Sequence, residues 1–186
     1  SGASPNVGAP TIGHTVFGHV DNYPEIFSVY QGEKSKPRNM DRYEAHATTH
    51  PWTGYHCDIT ACVNPPSIGM LRGDIIPQGV GDTNFGSLAA AYETLDEDTK
   101  QQLENLQAEH EYKFGKTKGS EAGDSIASRR MISHHPLVTV HPDTGERILF
   151  NSPAFLKFVV GMEEEESTAL LHKIWEHSVK YTIRHV

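Results

Sequence analysis

The chain has 186 residues and a mass of 20.6 kDa, with 37% hydrophobic and 9% aromatic residues, enough for one domain (residues 1–186) with a buried core. Sixteen Lys and Arg against 24 Asp and Glu leave a net charge of −8. That charge repels phosphate backbones and anionic lipid, so neither nucleic acid nor membrane is expected as a partner.

No apolar run reaches the length needed to span a bilayer, and the opening SGASPNVGAP has no basic segment followed by an apolar one, so a cytoplasmic location is expected. The two cysteines, Cys57 and Cys62, lack CxxC spacing and read as reduced thiols. In chain order, residues 31–54 are polar, carry Pro37 and Pro51, and read as a long irregular loop of the kind that often serves as a functional lid. Residues 55–63 (YHCDITACV) and 67–77 (SIGMLRGDIIP) are rich in β-branched and apolar residues, end at prolines and predict two strands.

Residues 87–111 hold good helix formers with apolar positions at Leu88, Ala91, Tyr92, Leu95, Leu103 and Leu106, which predicts a helical pair around TLDEDT. The glycine-rich, polar stretch 113–130 predicts a second mobile loop. Residues 135–150 (HPLVTVHPDTGERILF) predict a hairpin turning at Asp143-Thr144-Gly145. The acidic run 163–166 opens a helix, where negative charge suits the macrodipole, with Leu170, Leu171, Ile174 and Trp175 on one face. YTIRHV, residues 181–186, predicts a last strand. Strands carrying inserted helices, rather than alternating βαβ units, indicate a mainly β, α+β chain with an antiparallel sheet or barrel.

Residues 56–58 read His-Cys-Asp. With twelve His and nine Asp in the chain, a His-x-Asp triplet arises roughly 0.6 times by accident, so the triplet alone is weak. On a strand, His56 and Asp58 project from one face and Cys57 from the other. That would supply two of the three ligands of a 2-His-1-carboxylate triad for non-haem Fe(II). A solvent-facing His and Asp on an edge strand is the plainer account of the triplet by itself.

The neighbouring residues favour the metal. Residues 55–95 present an aromatic-His-x-Asp segment, a Pro-Pro step at Pro65-Pro66, a run leading to Gly81-Asp82-Thr83, and an Ala-Ala-Tyr helix. This series, continued by HPLVTVHPDTGERILF and by HTVFGH at residues 14–19, resembles the TauD/TfdA family of Fe(II)- and 2-oxoglutarate-dependent dioxygenases over nearly the whole chain. The resemblance implies a double-stranded β-helix (jelly-roll) fold, incomplete at both ends in this chain. It implies that His56 and Asp58 ligate iron and that Thr83 hydrogen-bonds 2-oxoglutarate. It places His14 against the substrate's anionic group, with Phe17 and Ile59 as pocket walls. The implied reaction uses O2 and 2-oxoglutarate to hydroxylate a small sulfonate, sulfate ester or carboxylate, releasing succinate and CO2. An acid at position 58 favours hydroxylation, or hydroxylation followed by fragmentation, over halogenation, because related halogenases lack that carboxylate. The pair is expected to face an interior cavity. Nothing in the sequence fixes the oligomeric state, which leaves room for a homo-oligomer.

Two departures bear on the substrate loop and the co-substrate segment: Phe17 stands where taurine-specific members have a tyrosine, and Val80 replaces a glycine. The family's second iron histidine and its 2-oxoglutarate arginine lie past a strand resembling YTIRHV, and nothing follows Val186. The sequence therefore reads as a fragment or as a chain with residues omitted. His185 comes too early to fill the gap, and His134, His135 and His141 belong to the hairpin. His46 and His50 have i, i+4 spacing, but two Thr and Pro51 oppose a helix there, so a zinc role is not adopted. The rival readings are a non-catalytic, sheet-rich anion-binding module and a zinc hydrolase of barrel type.

Overall fold

The computed structural model describes residues 19–20, 22–27, 50–74, 76, 83–113 and 130–185. Its centre is a three-stranded antiparallel sheet with β4 (Gln107–Lys113) between β5 (Arg130–Pro136) and β8 (Leu156–Val159). β4 runs in unbroken register with β5, from Gln107↔Pro136 to Lys113↔Arg130. Its pairing with β8 shifts at Glu109 and His110, a bulge that lets consecutive residues His110 and Glu111 both be buried.

Around this sheet stand three two-stranded ones. The other strands among the described residues are β1 (His19–Val20), β2 (Tyr23–Phe27), β3 (Thr83–Gly86), β6 (Val138–Val140), β7 (Arg147–Leu149) and β9 (Thr182–His185). β1 pairs with β2, β3 with β9 and β6 with β7, all antiparallel. Among the described residues three helices are inserted: α1 (Leu88–Glu93), α2 (Glu97–Leu103) and α3 (Glu164–Val179). The described residues thus form a sheet-rich α+β arrangement.

Local chemistry sets most boundaries. Ser87 and Asp96 sit in extended backbone before α1 and α2, and their side chains accept from Ala90 N and Thr99 N at 3.2 and 2.7 Å. Each satisfies a helix N–H that has no partner inside the helix. α3 begins with Glu164, Glu165 and Glu166 and buries Leu170, Leu171, Ile174 and Trp175, the face its spacing predicts. Those four join Ala91, Leu95, Leu103, Ala108, Leu137, Leu149, Leu156 and Val159 in one core between sheet and helices. The hairpin forms as expected, with Val138↔Leu149 and Val140↔Arg147 as register pairs and Gly145 at φ +74° in its turn. His141 closes that turn, its Nδ1 accepting from the N–H groups of Asp143 and Thr144.

Four expectations change. Residues 55–63 are not a strand: their backbone runs through turns, and Ile59 adopts φ +45°. Positive φ in a β-branched residue is incompatible with a ladder, and this segment bonds instead to side chains from elsewhere in the chain. Residues 67–74 and 76 carry no strand either; Ile68, Met70, Leu71 and Ile76 are exposed, so their apolar pattern finds no opposing surface among the described residues. The helical pair ends at Leu103, and residues 107–113 form β4, because pairing on both edges overrides the helix-forming Ala108, Glu109 and Glu111. His134 and His135 belong to the end of β5, ahead of the hairpin rather than within it. The loop readings at residues 31–49 and 114–129 lie outside the described residues. No helix among the described residues is long and apolar enough to cross a membrane.

Candidate functional site

The His-Cys-Asp triplet sits between two turns. Thr53 N donates to His50 O at 2.9 Å and Tyr55 N to Trp52 O at 3.1 Å, with Gly54 at φ +88°, a conformation that costs glycine nothing. The turn aims the Gly54 carbonyl at His56, whose Nδ1 donates to it at 2.8 Å. After the triplet, Cys62 N donates to Ile59 O at 3.0 Å, closing the second turn.

His56 and Asp58 come together, Nε2 to Oδ1 at 3.3 Å. The alternation expected of a strand persists without the strand: His56 and Asp58 point outward, while Cys57 between them is half-buried and donates its Sγ–H to Asn151 O at 3.7 Å. The two side chains keep 50% and 64% of their surface exposed, so the described residues alone do not enclose them. On one side, a Cβ built on Gly69 would stand 3.3 Å from Asp58 Oδ2, so the backbone there approaches the carboxylate closely. A cavity of about 210 Å³, lined by His50, Trp52, Thr53, Gly54, Pro153 and Ala154, borders the Gly54 turn.

The electrostatics follow from this geometry. The Asp58 carboxylate raises the His56 imidazole above the ordinary histidine value against the opposing effect of partial burial, and the Gly54 carbonyl adds to the rise. Burial pushes the Cys57 thiol up, and the charge on Asp58 pushes it further. Burial likewise raises Cys62. Both thiols are free. Neither is poised as a thiolate nucleophile.

Side chains remote in sequence anchor the triplet. Ser152 Oγ accepts from Cys57 N at 3.1 Å and donates to Cys57 O at 3.3 Å. At the far end, Thr60 is fully buried; its carbonyl accepts from Ser133 Oγ at 3.0 Å and from His135 Nε2 at 2.8 Å, and its hydroxyl lies 2.8 Å from His110 Nδ1. Tyr55 donates its hydroxyl to Thr182 Oγ1 at 3.1 Å, tying the triplet to β9 and through it to β3. Sequence reasoning gave none of these supports, because each joins segments at least 50 residues apart and no local pattern announces it.

Of the other residues singled out, Thr83 opens β3 opposite His185 and is exposed. Ile59 is half-buried in its positive-φ turn. His14, Phe17, His46 and Val80 lie outside the described residues. His50 packs among the rings of Trp52 and His172, at centroid distances of 5.0 and 5.7 Å. Among the described residues, no group of three or more His, Cys, Asp or Glu side chains could hold a metal ion.

The model of the Taurine catabolism dioxygenase TauD, TfdA family matches residues 2–186. A crystal structure of a taurine dioxygenase from Burkholderia xenovorans superposes with a TM-score of 0.71 at 40% identity, covering 96% of this chain and 54% of that one. The alkylsulfatase of Acinetobacter baylyi is 35% identical over 131 residues, 66% of this chain and 41% of the relative. The (S)-phenoxypropionate/alpha-ketoglutarate-dioxygenase of Sphingobium herbicidovorans is 30% identical over 129 residues, 65% of this chain and 45% of the relative. The chain therefore spans less than half the length of these two curated relatives.

Proposed function

This chain belongs to the Taurine catabolism dioxygenase TauD, TfdA family, and from that premise we propose that it forms part of an Fe(II)- and 2-oxoglutarate-dependent dioxygenase acting on a small anionic organic substrate. The observation that carries the reading is the approach of His56 Nε2 to Asp58 Oδ1 at 3.3 Å, with His56 Nδ1 held by the Gly54 carbonyl. Two donors about 2.1 Å from one ion and roughly at right angles stand about 3 Å apart, so this spacing suits adjacent ligands of a facial triad. A backbone carbonyl on the far ring nitrogen is the usual support of a ligating histidine, since it fixes the tautomer and leaves Nε2 for the metal. A mixed nitrogen and oxygen donor set also suits Fe(II).

The roles follow. His56 would bind iron through Nε2, giving up the proton it shares with Asp58, and Asp58 would bind through a carboxylate oxygen. When bound, the iron centre with O2 and 2-oxoglutarate supplies the oxidation that hydroxylates the substrate and yields succinate and CO2. Thr83 would donate its hydroxyl to 2-oxoglutarate, and His14 would hold the substrate's anionic group by a charge-assisted bond. Phe17 and Ile59 would wall the substrate pocket. The substrates named for three similar proteins are a sulfonate, alkyl sulfates and a carboxylic acid, which share one anionic head on an organic body. We take residues 1–186 as part of one double-stranded β-helix domain, cytoplasmic as its free thiols suggest.

The test is to incubate full-length protein with Fe(II), ascorbate, 2-oxoglutarate and a panel of sulfonates, sulfate esters and carboxylates, and to measure succinate. Substrate-dependent succinate with at least one acid is expected. No succinate with any acid, together with no Fe(II) binding, refutes the proposal; O2-independent turnover with zinc would replace it with a hydrolase.

A further inference from the structure

The structure assigns to Ser152 a part in the site: we infer that it is the positioning residue that sets the mutual direction of His56 and Asp58. The inference rests on the metal reading of that pair. Ser152 is fully buried, on the loop between β7 and β8, 95 residues from Cys57. Its hydroxyl accepts from Cys57 N at 3.1 Å and donates to Cys57 O at 3.3 Å. The first group belongs to the peptide joining His56 to Cys57, the second to the peptide joining Cys57 to Asp58. One hydroxyl therefore grips both peptide planes that flank Cys57, and the rotation between those planes decides whether the side chains on either side converge.

Such a grip is needed here because residues 55–63 have no ladder to hold them. In a strand, neighbouring backbones would fix these peptides; in a turn, a side chain must do it. Ser152 is itself anchored. Its neighbour Asn151, also buried, accepts the Cys57 thiol at its carbonyl and donates Nδ2 to Leu149 O at 3.2 Å and Ser178 Oγ at 3.0 Å. Ser178 in turn donates to Ile174 O within α3 at 2.7 Å. The contact thus transmits the rigidity of α3 to the segment between the two proposed ligands.

The experiment titrates full-length protein with Mn(II) alone and follows binding by EPR, whose bound-ion spectrum reports ligand geometry. Wild type, H56A, D58A, S152A and S167A are compared at matched fraction folded. Ser167 is the control: it is equally buried, and its Oγ accepts a backbone N–H from Val159 at 2.8 Å, but at the contact of α3 with β8. S152A is expected to bind Mn(II) roughly 10- to 100-fold more weakly, the range typical of outer-shell changes, with an altered spectrum. S167A is expected to match wild type in both. Wild-type affinity in folded S152A, or equal weakening in S152A and S167A, overturns the assignment. Should S152A not fold, S152C replaces it, a thiol being a weak donor and acceptor of similar shape, and the same two results decide. Binding that H56A and D58A leave unchanged refutes the metal reading and this inference together. Binding that needs both ligands but ignores position 152 refutes the inference alone.

Discussion

His135 at the end of β5 donates across the molecule to the turn that follows the triplet: its Nε2 lies 2.8 Å from the Thr60 carbonyl and 3.0 Å from that of Cys62. Thr60 and Cys62 are both buried; removing the donor takes from the Cys62 carbonyl its bond to His135 and leaves the Thr60 carbonyl with Ser133 Oγ. His135→Phe keeps the ring and deletes the bonds. We expect a loss of about 1–3 kcal/mol, the penalty for unsatisfied buried polar groups, read as a lower urea midpoint at unchanged slope.

Removing either proposed ligand should act on metal and not on the fold, because both side chains are largely exposed. His56→Ala and Asp58→Ala are each expected to weaken Fe(II) binding by more than roughly 100-fold, beyond the range of outer-shell changes, while thermal midpoints move little. Anaerobic calorimetry with Fe(II) alone checks this. Unchanged binding in both variants would remove the pair from the site.

Gly69 offers a gentler perturbation. A Cβ there would sit 3.3 Å from Asp58 Oδ2, tighter than ordinary van der Waals contact, so the carboxylate must shift by a few tenths of an ångström. Gly69→Ala is exposed and should leave stability intact. The expected outcome is a several-fold loss of Fe(II) affinity in the same calorimetric assay, smaller than for Asp58→Ala.

His110 makes stability depend on pH. It is fully buried; desolvation, aided by the nearby His135 and Lys157, lowers its pKa from 6.5 to about 3. Its Nε2 has no hydrogen-bond partner among the described residues. Above pH 6.5 folded and unfolded states are both neutral at this group, and its contribution is complete. As pH falls from 6.5 toward about 3, the unfolded chain takes up a proton that the folded chain refuses, so stability declines by up to about 1.4 kcal/mol per pH unit. Urea titrations between pH 7 and 4 on wild type and His110→Phe check the sign: the slope should be shallower in the variant.

On α3, Leu171 is 2% exposed and packs in the main core. Leu171→Ala should cost about 2–5 kcal/mol in urea denaturation, as for other buried leucines.

Where periodicity and turn chemistry act locally, the sequence predicted the structure well. The 170, 171, 174, 175 stripe, the Asp143-Thr144-Gly145 turn and the terminal strand each depend on neighbours within a few residues, and all three formed. β4 did not announce itself, since Ala108, Glu109 and Glu111 favour helix and only pairing with β5 and β8 makes them a strand. Residues 55–63 looked like a strand because β-branched side chains are common to strands and buried turns; the positive φ of Ile59 and the bonds to Ser152, Ser133 and His135 decide otherwise. The family motif put His56 beside Asp58, whereas the side chains that anchor the segment around them come from residues 50 to 127 positions away in the chain.

The chain's two tryptophans, Trp52 and Trp175, have ring centroids 5.9 Å apart, with His172 5.0 Å from the first and 5.7 Å from the second. One indole belongs to the turn that leads into the triplet, the other to the long helix. Intrinsic emission from this protein is therefore a local gauge: excitation shared between two indoles and quenched by a neighbouring imidazole changes when that turn lifts from the helix, so a simple fluorimeter can watch the approach to His56 without any attached dye.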